Sequence, residues 1–252
     1  MGQGTEVLGG APGTLTWLGH ASVLLVTRSG RRVMFDPWLE NPRSPVGIDQ
    51  VGALDVIAVT HGHGDHIGSV VPLAEQTGAT IVCVHEMTEY FATHGLDQMI
   101  GMNKGGTVDV GGVRLTMVSA DHSCGVSAAE GQPSVYGGSA AGFIVPDEGD
   151  AGALYISGDT NVFSDMAIIR DLYAPEIAVV PIDGHYNMGP REAAYAVSLL
   201  GVRRVAPYHY GTFPQLAGTP AQVADELRAR GSTARVVPME PGDTISLTEP
   251  AR

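Results

Sequence analysis

DVIAVTHGHGDHIG (55–68) places three histidines and an aspartate, His61, His63, Asp65 and His66, within six positions directly after a strand-forming run. Neutral imidazole is the preferred protein ligand of zinc and its neighbours, and a carboxylate adds charge neutralisation. In a loop, residues i and i+2 can turn toward one centre while i+4 and i+5 address a second one a few ångströms away. Gly62 and Gly64 lack a Cβ, so the backbone can take positive φ and crowd inward without a steric penalty. At this chain's own His and Asp frequencies, such a match arises about once in a thousand chains of this length. Metal binding is therefore the stronger reading, and an ordinary polar loop with crossing hydrogen bonds the weaker one.

The rest of the chain narrows the setting. Its 252 residues are 44% hydrophobic and 16% charged, enough apolar side chain for a large core. A formal net charge of −13 argues against a main role in coating nucleic acid or anionic lipid, so neither partner is expected. Two cysteines, Cys83 and Cys124, read as a reduced chain rather than a disulfide scaffold. MGQGTEVLGGAPG (1–13) has neither a basic nor an apolar leader segment. The apolar runs ASVLLVT (21–27) and IAVVPI (177–182) fall far short of the ~18 residues of a membrane span. The expectation is a soluble, cytoplasmic protein; whether it forms a homo-oligomer stays open.

β-rich runs come first: TLTWLG (14–19), ASVLLVT (21–27), RRVMFD (31–36) and DVIAVT (55–60). A helix is expected over 67–78, a strand over 80–84 and a short helix over 86–95. TVDV (107–110), VRLTMVSA (113–120), AGFIV (141–145) and ALYIS (153–157) read as strands. The last third alternates: helix 163–173, strand 176–182, helix 190–201, strand 203–208, and a final helix. Thr219 is a natural N-cap for that helix, with Pro220 at its first position, Gln222 completing a capping box and Gly231 closing it. Nothing resembles a linker, so one domain over 1–252 is expected, as two packed sheets with helices outside. Residues 122–140 form the one long irregular segment, the kind that often serves as a lid or binding loop.

Three strand ends offer further ligands: His122 after VRLTMVSAD, Asp159 after ALYISG, and His209 after RRVAPY. With the loop they complete two shells. His61, His63 and His122 would hold one ion, Asp65, His66 and His209 the other, and Asp159 would bridge them.

With these residues the sequence resembles the metallo-β-lactamase superfamily, whose H-x-H-x-D-H loop, downstream His, bridging Asp and final His it matches in order. WLGHAS (17–22), FDP (35–37), GMNKGGTVDV (101–110), ADHS (120–123), GDT (158–160), MGPREAA (188–194) and YHYGTFP (208–214) are similar to a branch of metal-dependent hydrolases near the ascorbate-6-phosphate lactonases. The resemblance spans about residues 14–247. It implies an α/β fold, a four-layer αββα sandwich of two mixed sheets with two metals at one edge. It does not imply a substrate, because one fold hosts many chemistries. DGHYNMGP (183–190) departs from the pattern, with Asp183 and Asn187 where Gly and Thr are expected. Class B β-lactamases place Cys at the second metal, where this chain has Asp159, so antibiotic hydrolysis is not expected.

The resulting expectation is a hydrolase with two divalent metal ions, Zn2+ for so histidine-rich a shell, with Mn2+ or Fe2+ as alternatives. A metal-bridging hydroxide would attack a small-molecule ester, lactone or phosphoester. Asp65 is a candidate to take the water's proton and His185 a candidate general acid or substrate binder. His20, Arg43, Lys104 (the one lysine of the chain) and Tyr208 are further candidate substrate contacts, with His20 also readable as a structural residue. Asp36 reads as a group behind the ligands, His85 and His94 as surface residues. A nuclease of the same fold would need a basic track the chain lacks. A diiron redox protein would bring a flavin domain and a Glu among its ligands, where position 63 is His.

Overall fold

The computed structural model describes residues 8–126, 133–146, 149 and 152–248. The chain opens with an antiparallel meander, β1 (Thr14–Trp17), β2 (Val23–Val26) and β3 (Arg32–Phe35), followed by β4 (Val56–Ala58). Two short helices, α1 (Gly64–Ile67) and α2 (Val70–Thr77), lead to β5 (Thr80–Val84), α3 (His85–Ala92) and β6 (Met99–Met102). The hairpin β7 (Thr107–Val110) and β8 (Val113–Ser119) precedes a small ribbon, β9 (Gly125–Val126) with β10 (Val135–Tyr136). Next come β11 (Ala141–Val145) and β12 (Ala153–Ile156), then α4 (Met166–Tyr173), β13 (Pro175–Pro181), α5 (Pro190–Leu200) and β14 (Arg204–Tyr208). α6 (Pro220–Ala229), β15 (Arg235–Val236) and β16 (Thr244–Ser246) finish the fold.

Two seven-stranded mixed sheets result, ordered β16-β1-β2-β3-β4-β5-β6 and β15-β14-β13-β12-β11-β8-β7. Phe35 of the first and Phe143 of the second meet with ring centroids 6.0 Å apart, so the sheets pack face to face over a shared core. Strands β2, β4, β11, β12 and β14 are buried along their whole length, as strands covered on both faces must be. α3 packs on β5 and β6 outside one sheet, α5 and α6 on β13 and β15 outside the other. This is the four-layer α/β sandwich expected from the sequence.

The pairing fixes where chemistry can gather. β1, β3 and β4 run in one direction, as do β8, β12, β13 and β14 in the other sheet. The residues following them are His20, Asp36 and His61 in one sheet and His122, Asp159, Asp183 and His209 in the other. Ala141 N–H donates to Thr60 O (3.0 Å), tying the sheets together where the histidine loop begins.

Some local expectations change. The helix expected over 67–78 is split, because Ser69 N–H donates to Pro37 O and its hydroxyl accepts from Leu39 N–H, while Gly68 lies against Trp38. Asp65 and His66 therefore sit in the one-turn α1 rather than in a loop. Neither Gly62 nor Gly64 adopts positive φ. What glycine allows at 62 is close approach: a Cβ there would collide with Val126 of β9. Gly158 does need its left-handed φ of 64°, and a Cβ would lie 2.7 Å from both Ala141 O and Thr60 Cβ. β6, β15, β16 and the β9–β10 ribbon were not anticipated, being short runs without strand alternation. That ribbon occupies part of the irregular segment 122–140, of which residues 127–132 lie outside the described residues. The final helix begins as expected, with Thr219 and Gln222 forming a capping box.

Candidate metal centre and its cavity

One donor atom each from His61, His63 and His122 lie within 4.8 Å of one another, and the same holds for His20, Asp65, His66 and His209. His61 Nε2 and His63 Nδ1 are 2.9 Å apart. Asp159 stands between the groups: Oδ1 is 3.4 Å from His66 Nε2, and Oδ2 is 3.3 Å from His209 Nε2 and 3.7 Å from His122 Nε2. All seven sequence-predicted ligands thus converge on one edge of the sandwich.

Behind them is a second layer. Asp36 Oδ2 lies 2.9 Å from His66 Nδ1 and accepts from the Thr60 hydroxyl (2.6 Å), while its Oδ1 accepts from Thr60 N–H (2.8 Å). Asp183 Oδ2 lies 3.1 Å from His209 Nδ1. Its Oδ1 accepts from the backbone N–H of His185 (2.8 Å) and Tyr186 (2.7 Å). His20 Nε2 is 2.9 Å from Asp65 Oδ2, and its Nδ1 is 3.0 Å from the Thr212 hydroxyl. Among the described residues, three of the four non-glycine residues with positive φ are His20, Asp36 and His209. Such conformations cost on the order of 1 kcal/mol each and cluster where geometry matters for function. His20 O holds the pair of strained histidines in place by accepting from Trp17 Nε1 (2.9 Å) and His209 N–H (3.0 Å).

Electrostatics divide the cluster. Burial pulls His66 and His209 toward the neutral form, but Asp159 and then Asp36 raise His66 well above its ordinary value, and Asp159 with Asp183 raises His209 to about 9. Burial lowers His61, His63 and His122, which have no second carboxylate behind them to reverse it. Burial disfavours the Asp159 anion, yet His209 and His66 hold it well below the usual carboxylate range. Burial likewise takes His20 down to about 4. A neutral His20 satisfies both neighbours when Nε2–H donates to Asp65 and Nδ1 accepts from Thr212.

A metal fits this arrangement. His66 Nε2, His209 Nε2 and Asp159 Oδ1 are buried with no hydrogen-bond partner, which is rare for polar atoms unless something else binds them. Imidazoles whose outer nitrogens meet carboxylates, as in His66–Asp36 and His209–Asp183, are the pattern of metal-ligating histidines.

The profile of the β-lactamase superfamily domain matches residues 31–210. A Rubrobacter xylanophilus protein named UPF0173 metal-dependent hydrolase is 44% identical over 241 residues, 95% of this chain and 98% of its own. This chain belongs to the metallo-β-lactamase superfamily, among the UPF0173 metal-dependent hydrolases. A hydrolase of the same name from Koribacter versatilis is 44% identical over 92% of this chain and 97% of its own. Among solved structures, the metallo hydrolase Igni18 of Ignicoccus hospitalis superposes with a TM-score of 0.79 at 33% identity, covering 92% of this chain and 97% of that one. An isothiocyanate hydrolase from Delia radicum gut bacteria shares the fold, with a TM-score of 0.70 at 19% identity over 92% of this chain and 98% of its own.

The hydrolase cluster floors a cavity of about 600 Å³, whose wall carries Ser123, His185, Tyr186, Phe213 and Gln215. Of the expected substrate contacts, only His185 reaches it. His20 is buried and meets Asp65 instead. Tyr208 is also buried, beneath the site, because it is the last residue of a strand covered on both faces. Tyr210 turns inward too, donating to Met239 O (2.7 Å). Arg43 is drawn to Glu240 (2.6 Å) and lies over the Trp17 ring. Lys104 lines a separate groove with Phe163, Ile168 and Leu172. Asp183, which departs from the family pattern, braces His209. The sequence shows only an Asp at the exit of a strand; its role follows from that strand lying beside the one that carries His209. Tyr186, Phe213 and Gln215 were not singled out, since only loop conformation brings them to the cavity.

Proposed function

We propose that this metal-dependent hydrolase is dinuclear and cleaves a small-molecule ester, lactone or phosphoester. His61, His63 and His122 hold one ion, Asp65, His66 and His209 the second, and Asp159 serves both. The observation that carries the reading is Asp159, whose two oxygens lie within 3.7 Å of His66, His122 and His209, residues from both groups. Two divalent ions, zinc for a shell this rich in imidazole and manganese or iron as alternatives, supply a water activated near neutral pH and a Lewis acid for the developing oxyanion.

The protein's own groups do the rest. Asp65 lines the cavity in ionised form, anchored through Oδ2 by His20, and takes the proton of the attacking water. His185 stands exposed on the wall and protonates the leaving group. Asp36 and Asp183 keep His66 and His209 turned inward.

Elemental analysis and a panel of lactones, carboxylic esters and phosphoesters, run on one preparation before and after chelation, test the proposal. The expected result is close to two equivalents of metal and turnover that disappears on chelation and returns with metal. Full activity in metal-stripped protein would overturn it.

A further inference from the structure

The charge around the site is balanced from inside. Four carboxylates surround the cluster: Asp65 and Asp159 within it, Asp36 behind His66, and Asp183 behind His209. Two divalent ions would cancel those four negative charges and leave no surplus to attract an anion. Where metal charge is already balanced by carboxylates, phosphate recognition gains from added cations, above all arginine or lysine.

Among the described residues, neither Lys nor Arg lines the cavity. The two cations that the sequence offers as substrate contacts are committed elsewhere: the Arg43 guanidinium is paired with Glu240 and donates to Tyr210 O, and Lys104 faces its own groove. The undescribed residues 127–132, SAAEGQ, contain no cation in their sequence. What the wall does present is aromatic. Tyr186 and Phe213 are 59% and 36% exposed, and Phe213 leans on Trp38 with ring centroids 6.2 Å apart. Exposed rings on the wall of a cavity are the surface an apolar ligand would cover.

We infer that the substrate is an uncharged carboxylic ester or lactone whose apolar part packs against Tyr186 and Phe213, and is neither a phosphomonoester nor a phosphodiester. The inference rests on the hydrolytic reading above. Water oxygen forms the new bond to the acyl carbon and the acyl C–O bond breaks. One water proton passes to Asp65, and the departing alkoxide takes its proton from His185. The carboxylic acid product ionises and Asp65 and His185 return to their starting protonation states, after which the product anion meets a site whose charge is again balanced, which favours release.

The test compares aliphatic lactones and p-nitrophenyl butyrate with p-nitrophenyl phosphate and bis-p-nitrophenyl phosphate on protein of measured metal content. Each kcat/KM is divided by the uncatalysed rate of its own substrate. Uncharged substrates are expected to lead by about 100-fold or more, and Gln215→Arg, which adds a cation to the wall, to narrow the gap by about tenfold. Phe213→Ala is expected to erase most of the preference for long-chain over short-chain lactones. Phosphoesters matching or exceeding the uncharged substrates would overturn this inference and leave the hydrolytic reading standing. Silence across the whole panel with two equivalents of metal bound would overturn the small-molecule hydrolytic reading itself, and this inference with it.

Discussion

The two halves of the cluster are built differently. Asp65, His66 and His209 each lean on a dedicated partner, His20, Asp36 and Asp183 in turn, and the two histidines are fully buried. His61, His63 and His122 lean on hydroxyls at most: Thr60 beside His61 Nδ1 (3.1 Å) and Ser123 beside His63 Nε2 (3.2 Å). His63 and His122 also face the cavity. Both halves reach the substrate space, the first through Asp65 and His209 and the second through His63 and His122, but only the first has carboxylates behind its imidazoles. Carboxylate-backed imidazoles are stronger and better oriented ligands, so the halves should differ in how tightly they hold metal.

The largest effect is expected where the halves meet. Asp159→Ala removes the residue near both, and should lower kcat/KM by about 10³-fold or more and reduce bound metal below one equivalent. Retention of two equivalents in that variant, measured by mass spectrometry, would break the description of a shared ligand. Next come the braces. Asp36→Asn and Asp183→Asn should each weaken metal binding about 10–100-fold in the carboxylate-backed half. His20→Ala should do the same through Asp65, and competition with a chromophoric chelator reads all three. A uniform loss from both halves would erase the distinction drawn here.

Chelation of the unaltered protein sharpens it further: one equivalent should leave at about tenfold lower chelator concentration than the other, with His61, His63 and His122 as the half emptied first. The smallest effect is on the stability of the metal-free protein. Burial opposes the Asp183 anion, but His209 and the backbone N–H groups bring it down to about 2, so its contribution is complete above its ordinary 3.8 and lost as pH falls through about 2. His209, raised to about 9, contributes fully below its ordinary 6.5, and that contribution is lost as pH rises through about 9. His20, lowered to about 4, and His61, His63 and His122, also lowered, contribute fully only above their ordinary 6.5 and lose that contribution as pH falls. Melting temperature should therefore peak near pH 6.5 and fall on both sides, by about 2–4 °C for each kcal/mol lost. Asp183→Asn should lower the maximum and flatten the alkaline side.

What the sequence revealed follows the same division. Ligands at strand ends were readable because a strand fixes its own exit: TIVCV (80–84), TVDV (107–110) and AGFIV (141–145) form strands over those same residues, and ALYIS delivers Asp159 after Gly158. The imidazole-rich spacing of His61 to His66 needed no neighbour to be read. Asp36 was readable as a group behind the ligands, whereas Asp183 was not, because its role depends on β13 lying beside β14. Tyr208 and Tyr210 flank His209 identically in sequence, and only packing reveals that both turn inward. Arg43 and Lys104 carried charge suggestive of substrate binding, but Glu240, 197 positions away in sequence, claims the first. The cavity wall of Tyr186, Phe213 and Gln215 depends on loop conformation, which short-range pattern does not encode.

The most direct test of the central claim is anomalous diffraction from crystals of the metal-loaded protein, recorded at the absorption edge of the bound metal. Two peaks are predicted, one among His61, His63 and His122 and the other among Asp65, His66 and His209, with Asp159 touching both. A single peak, or a pair located away from these seven residues, would contradict the account.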